Sequence, residues 1–230
     1  MRLAIIIPTL NEAAVIDAAL ARLAPLRARG VRVIVADGGS SDDTVMRALN
    51  GGADAVVPAA RGRGRQMNAG ARHPLAAESD VLLFLHADTA LPPDADRLVL
   101  RTLANAPNVW GRFDVQIEGR PMLRVIAGMM NWRSRATGIS TGDQAIFVLR
   151  SAFVALDGFA PIPLMEDIDF SRRARLLSRP LALHEKAVTS GRRWERDGVW
   201  RTVLLMWRLR LAYAFGADPN ELAQKYRSTR

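Results

Sequence analysis

The chain has no cysteine among its 230 residues. That excludes disulfides, thiolate zinc sites and a cysteine nucleophile, and it fits a cytosolic chain. Lysine is nearly absent as well. Of 32 basic residues, 30 are arginine, and the formal net charge is +9. Codon bias explains that ratio as readily as phosphate-rich ligands or an anionic membrane surface do. The arginines are scattered, with few aromatics among them before the C-terminal third, which argues against nucleic acid as a partner. No apolar run approaches the roughly 18 residues of a spanning helix. Met1 to Leu10 holds one arginine and a short apolar stretch ending in Pro8, too short for a signal-peptide core with its cleavage site. These absences predict a soluble or peripheral protein, cytoplasmic or at the inner face of the membrane.

What is present is a globular composition, 49% hydrophobic, of a length suited to one domain with a sizeable core. Leu3 to Ile7 and Val31 to Ala36 read as strands buried on both faces. A helix is expected between them over Glu12 to Ala28, capped by Asn11 and ended by Gly30. Ser40 to Asp43 resembles a capping box opening the next helix. Ala53 to Val57 is a short strand, Arg61 to Arg72 a basic turn and helix, Val81 to Leu85 a strand, and Pro92 to Asn105 a helix. This alternation predicts crossover units and a parallel sheet. Beyond residue 107 the pattern changes. Val109 to Glu118 alternates like an antiparallel or edge strand, and Met122 to Arg135 reads as a helix. Gln144 to Leu149 and Leu181 to His184 read as strands. Ile168 to Leu177, Val199 to Phe215 and Pro219 to Tyr226 read as helices. Residues 1–230 are therefore expected to form one domain, with a nucleotide-binding half at 1–106 and an acceptor half with C-terminal helices at 107–230.

Carboxylates cluster where strands give out, the edge at which open α/β sheets bind ligands. Asp37 ends the second strand, where it can accept hydrogen bonds from a base or ribose, and Gly38 lets backbone approach closely. Asp88 after the fourth strand supplies a hard oxygen and His86 a nitrogen, a pair suited to manganese. A ring held by hydrogen bonds in the cleft is the plainer reading of His86. Taken singly, Asn11 is a cap and Glu12 a partner of the helix dipole. Arg61 to Gly70 lacks the Lys-Ser/Thr ending of a Walker loop but sets arginines and glycines before a helix, which suits a diphosphate. Asp167 reads either as a proton acceptor or as the N-cap of a helix beginning at Ile168. Asp169 and Arg173 are spaced for an ion pair.

Pro8 to Glu12, Asp37 to Thr44, the His86-Ala87-Asp88 variant of an Asp-x-Asp motif, Gly142-Asp143-Gln144 and Glu166-Asp167 occur in one order. Together they resemble a family 2 glycosyltransferase of the GT-A fold, over residues 3 to about 195. Gly62 to Ala71 and Leu85 to Thr89 are similar to a compact bacterial subgroup. The resemblance implies a Rossmann-like, mostly parallel sheet flanked by helices, with a small antiparallel part. It implies inverting transfer of a sugar from a UDP- or GDP-sugar to a hydroxyl acceptor, a lipid-linked one included. Pro8, Leu10, Glu12, Asp37, Gly38, Arg65, Ala87 and Asp88 would hold the donor. Asp88, with His86, would hold Mn2+ or Mg2+. Gly142, Asp143, Gln144, Arg193 and Trp194 would shape the acceptor side, and Asp167, beside Glu166, would be the catalytic base. The family's Gln-x-x-Arg-Trp motif appears only as Arg193-Trp194, which argues against a processive polymerase. A nucleotidyltransferase and a non-catalytic sugar-nucleotide binder are the alternative readings.

The Val199 to Phe215 helix places Trp200, Val203, Leu204, Trp207, Leu211 and Phe215 on one face, interrupted elsewhere by arginines. Core packing is the plain expectation. Interfacial membrane contact, with tryptophan and arginine at headgroup level, is the other.

Overall fold

The computed structural model describes residues 1–228, with the side chains of Arg193, Glu195, Asp197, Arg227 and Ser228 outside the description. Eight strands form one sheet: β1 (Leu3–Thr9), β2 (Arg32–Asp37), β3 (Ala55–Pro58), β4 (Val81–Phe84), β5 (Thr89–Ala90), β6 (Trp110–Ile117), β7 (Phe147–Leu149) and β8 (Leu181–Thr189). Their order is β3-β2-β1-β4-β7-β6-β8-β5. The first four are parallel, and β7 runs antiparallel to both β4 and β6. The sheet crosses residue 106 without a break, because β4 pairs with β7.

Helices cover both faces. They are α1 (Ile16–Ala28), α2 (Thr44–Asn50), α3 (Arg63–Arg72), α4 (Pro74–Ala77), α5 (Ala95–Ala104), α6 (Pro121–Thr137), α7 (Arg150–Ala155), α8 (Glu166–Leu177), α9 (Arg192–Asp197), α10 (Val199–Ala214) and α11 (Pro219–Ser228). The pleat sends alternate side chains of β1 to opposite layers. Ile5 and Ile7 pack with Leu20, Leu23, Val99 and Phe113. Ile6 packs with Met67, Phe84, Phe159 and Phe170 on the other face. Each large side chain so buried contributes about 1.5–3 kcal/mol, which is why an uninterrupted apolar run becomes an interior strand.

Close approach explains one glycine of the basic stretch. A methyl group added at Gly70 on α3 would lie 2.6 Å from Cγ2 of Ile6, which is fully buried. Gly70→Ala should therefore destabilise the fold by about 1–3 kcal/mol through overpacking, although alanine is the better helix former by about 1 kcal/mol. Urea unfolding measures this, and a variant as stable as the parent would mean that Ile6 yields freely.

Three expectations change. Asn11 is not a cap. It takes a positive φ of 56°, α1 starts four residues later than predicted, and the Asn11 side chain accepts a hydrogen bond from the Ser41 N–H at 2.9 Å. It ties two ligand-edge loops together. β6 is not an edge strand. It lies between β7 and β8, antiparallel to one and parallel to the other. The alternation that looked like exposure belongs to Arg112 and Asp114, a buried ion pair that also draws in Arg135 of α6.

The predicted core face of α10 is the third. Leu209 is buried, and Leu205, Met206, Ala212 and Tyr213 pack with it on Met165, Ile168 and Leu222. Trp200, Leu204, Trp207, Leu211 and Phe215 are 61–84% exposed. The helix is apolar on both sides, and the side turned to α8 and α11 is the one that packs. No helix among the described residues is long and apolar enough to cross a membrane.

Candidate active site

Parallel pairing brings the C-terminal ends of β1, β2 and β3 to one edge, with Thr9 opposite Asp37 and Asp37 opposite Pro58. Asp37 is buried there, and its own loop satisfies it. Its Oδ2 accepts from the N–H groups of Gly39 and Ser40 at 2.9 and 2.8 Å. Its Oδ1 accepts from the hydroxyls of Thr9 and Ser40. The cost of a buried charge is therefore met within the protein and does not itself call for a ligand. Gly38 makes room for Gln66, whose Nε2 would lie 2.9 Å from an added methyl group. That buried amide donates to the carbonyls of Thr9 and Ala36. Asp37, Gly38 and the half-buried Leu10 shape the loop behind the cleft.

The cleft itself is an open cavity of about 1310 Å3. Pro8, Glu12, Arg63, His86, Ala87, Asp88 and Asp143 line its polar end. Burial raises the pKa of Glu12, and the negative charge of Asp88 raises it further. Two carboxylates repelling each other at one wall are relieved by a cation between them. Among the described residues, no three His, Cys, Asp or Glu side chains gather as a metal site. Mg2+ held by one or two carboxylates, with phosphate oxygens supplying the rest, needs no such cage. The donor set fits on those terms. His86 turns Nδ1 to Asp143 Oδ1 at 3.3 Å. Its Cε1 and Nε2 lie over Gly142, where an added methyl group would come within 2.4 Å. The plainer reading, a ring held in the cleft, describes this geometry.

Asp167 lies in the first turn of α8, and the left-handed Met165 holds the N-cap position. The expectation of a cap is corrected. The Asp167 carboxylate accepts from the Gly142 N–H at 3.0 Å and from the Ile168 N–H at 2.8 Å. Burial pushes its pKa up, the charge of buried Glu166 pushes it further, and these two backbone bonds and Arg63 oppose the rise, leaving it at about 6. A carboxyl group poised near neutrality suits general base work. Asp167 does not itself line the cavity. Its partner Gly142 adjoins the lining residue Asp143. Asp169 pairs with Arg173 at 2.7 Å, as the spacing predicted.

The basic stretch divides by helix phase. Arg63 lines the cavity. Burial works against its charge, but Glu166 foremost, with Tyr226, Asp143 and Asp167, raises its pKa overall. Arg63 and Arg65, the predicted donor residue, are both exposed, and Arg65 is absent from the lining. Asn68 exchanges hydrogen bonds with the backbone of Phe159 at 2.7 and 2.9 Å, so the motif mainly fastens α3 to the segment before α8.

On the acceptor side, Asp143 lines the cleft, and Gly142 lies against the His86 ring. Gln144 does not. It is fully buried, closes a capping box with Thr141, and donates to Asn131 at 3.3 Å. Trp194 lines the cavity and packs on the small core under α6. Arg193 lies on α9 with its side chain outside the described residues. Sequence reasoning missed the far end of the cavity. There Met129, Met130 and Arg133 of α6 face Val203, Leu204, Trp207, Arg210 and Leu211 of α10.

Comparison with known proteins gives a match of residues 4–147 to the family described as Glycosyl transferase family 2. No curated protein matches the chain. Solved structures do. Glucosyl-3-phosphoglycerate synthase from Mycobacterium tuberculosis, in complex with Mn2+, UDP and phosphoglyceric acid, is similar at a TM-score of 0.59. It is 22% identical over 80% of this chain and 69% of its own. S. aureus TarS 1-349 with UDP gives 0.65, 19% identity, and coverage of 83% and 60%. Mannosyltransferase PcManGT from Pyrobaculum calidifontis, with GDP-Man and Mn2+, gives 0.64, 22% identity, and coverage of 92% and 61%. The chain thus spans less than two thirds of the length of the latter two. At these identities the likeness establishes the GT-A-type fold.

Proposed function

The chain belongs to glycosyl transferase family 2 and is an enzyme of sugar transfer, and on that premise we propose how its cleft performs the reaction. The donor is a UDP- or GDP-sugar, seated by residues 1–106 against Pro8, Glu12, Ala87 and Asp88. Residues 107–230 present the acceptor. The observation that carries the reading is Asp167, held by the Gly142 N–H at 3.0 Å beside a cavity whose wall carries Asp88. Asp88 is the residue that would hold a divalent cation, Mn2+ or Mg2+. When bound, such an ion offsets the charge that develops on the departing diphosphate. Arg63 adds fixed positive charge on the same side. Asp167 takes the proton from the acceptor hydroxyl as its oxygen bonds to the anomeric carbon. The bond from that carbon to the diphosphate breaks with both electrons leaving on the nucleotide, so a single displacement inverts the configuration. Asp143 holds His86 against Gly142 and so steadies the loop that positions Asp167.

The acceptor reaches this centre from the apolar end of the cavity, which supports a hydroxyl carried on an apolar chain at a membrane face. Met122, Val125, Met129 and Trp132 of α6 are 43–73% exposed and share one side of that helix, and α10 exposes its own stripe of tryptophan and leucine. Contiguous apolar surface of this kind, interleaved with arginine, marks an interfacial contact. The protein should sediment with anionic liposomes at low ionic strength and less at high salt. Absence of binding at low salt would remove the membrane from this reading.

A thermal-shift series with UDP and GDP, each with and without Mn2+, tests the donor assignment. A ligand that binds the native state raises the melting temperature by mass action. One nucleotide should stabilise the protein, more so with the ion. No shift with either nucleotide would overturn the assignment.

A further inference from the structure

Among the described residues, one donor outside α8 holds the Asp167 carboxylate, the Gly142 N–H at 3.0 Å. The loop that presents this donor is a single turn, Gly142–Gln144, and the residue that closes it, Ala145, takes a φ of 47°. A residue other than glycine keeps a left-handed backbone only where its surroundings impose it. Gln144, which is fully buried, ties the turn down. Its Oε1 accepts the Thr141 N–H at 3.2 Å, and its Nε2 donates to Oδ1 of Asn131 at 3.3 Å. Asn131, on α6, is fixed in turn by β6. β7 pairs with β6 only at Trp110 and Gly111, so Val115 has no strand on the side opposite β8. The Asn131 amide takes that place. Its Oδ1 accepts the Val115 N–H at 2.8 Å, and its Nδ2 donates to the Val115 carbonyl at 2.9 Å. Backbone groups thus orient both amides, and the contact between them joins one donor to one acceptor. Arg112, in its buried ion pair with Asp114, adds a bond from Nη2 to the Asn131 carbonyl at 3.3 Å.

We infer that Asn131 is a positioning residue for the base: through Gln144 it sets the turn whose Gly142 N–H holds the Asp167 carboxylate. This rests on the reading of Asp167 as the base. Neither Asn131 nor Gln144 lines the cavity, so their effect is exerted through Asp167. Burial and the charge of Glu166 raise the Asp167 pKa, and the Gly142 bond is the first of the effects that oppose them. The other charged or titratable groups that face Asp167 are Arg63 of α3, Arg133 of α6 and Tyr213 of α10. A turn released from Asn131 presents its N–H less well. The base then keeps its proton to higher pH and meets the acceptor hydroxyl in poorer alignment.

Carbon-13 NMR of the full chain labelled at its aspartate carboxyls follows that proton directly, the Asp167 signal being the one absent from Asp167→Asn. The parent should titrate at about 6. Asn131→Ala and Gln144→Met should each move the midpoint upward by about half a pH unit or more. Cleavage of an α-linked UDP- or GDP-sugar that the protein binds, with Mn2+ and water as acceptor, is measured alongside. In each variant kcat should fall about tenfold or more, while the KM for the donor stays within about twofold. The double variant should lose no more than the slower single variant, because the same link is broken in each. Leu103→Ala, which opens a cavity in the core beneath α5, lowers stability away from the turn and should leave the midpoint where the parent has it. A midpoint raised as far in Leu103→Ala as in Asn131→Ala would overturn the inference, since general loosening would then explain both. So would additive losses in the double variant. Circular dichroism checks each fold, and should Asn131→Ala fail to fold, Gln144→Met, which nearly keeps the side-chain volume, carries the test. If Asp167→Asn cleaves at full speed, the base reading falls and takes this inference with it. If Asp167→Asn is inactive while Asn131→Ala and Gln144→Met match the parent in midpoint and rate, this inference falls alone.

Discussion

Replacing Asp167 with asparagine should lower turnover by about 10²–10⁴-fold, the usual contribution of a general base, with little change in nucleotide affinity. The side chain keeps its shape and can still accept the Gly142 N–H, but it cannot take the acceptor proton. The pH profile carries the same signature. The active form is the ionised carboxylate, whose pKa stands at about 6. In the parent, kcat/KM should therefore be half-maximal near pH 6, level off about a unit above it and approach a tenfold fall per unit below it, and the residual activity of the asparagine variant should lack this limb. Glu166→Gln removes the neighbouring negative charge, so the limb should move to lower pH with a smaller loss of turnover. Stability has the opposite sign. The folded state holds the Asp167 proton more tightly than the unfolded state does, so stability falls as pH rises from about 4 to about 6. At pH 7.5 Asp167→Asn should be more stable than the parent, by on the order of 1–3 kcal/mol, and the difference should vanish near pH 3. A variant at full speed, or one impaired only in nucleotide affinity, would rule out the base and shift attention to Glu166.

Asp88→Asn should remove the manganese-dependent part of nucleotide binding and reduce turnover by about 10²-fold or more, since charge stabilisation by a bound ion is worth several kcal/mol. Isothermal titration with UDP and GDP, with and without Mn2+, measures the effect. The fold should be unchanged, because the only hydrogen bond described for the Asp88 side chain is a 3.4 Å contact from Thr89. Binding that is independent of metal in the parent would give Asp88 another role and leave Arg63 as the main counter-charge.

The first four strands were legible because they are unbroken apolar runs, and a run buried on both faces admits few alternatives. The carboxylates at the ends of β1 and β4 could be placed for the same reason. Where the structure adds to the reading, one helix phase or one hydrogen-bond partner is decisive. Arg63 lies three and four residues before buried Gln66 and Met67 and seven before Gly70, so it shares their side of α3. Arg65, two residues on, faces away. Counting arginines could not separate them, whereas counting phase from Met67 could have. Asp37 reads as a binding group because a buried charge needs partners, and Gly39, Ser40 and Thr9 supply partners within the loop. Backbone donors of a tight loop leave no trace in residue type. For α10, apolar residues on two sides left the buried side undetermined until Met165, Ile168 and Leu222 were in place.

Single displacement at one carboxylate is the centre of the account, and the configuration of the released sugar tests it without knowledge of the acceptor. An α-linked UDP- or GDP-sugar that the protein binds is incubated with Mn2+, water serving as the slow acceptor. Proton NMR then follows the anomeric signals before they equilibrate. The account predicts the β-anomer as the first product, formed by the parent and almost absent with Asp167→Asn. The α-anomer as first product, or no cleavage of any nucleotide sugar that binds, would contradict it.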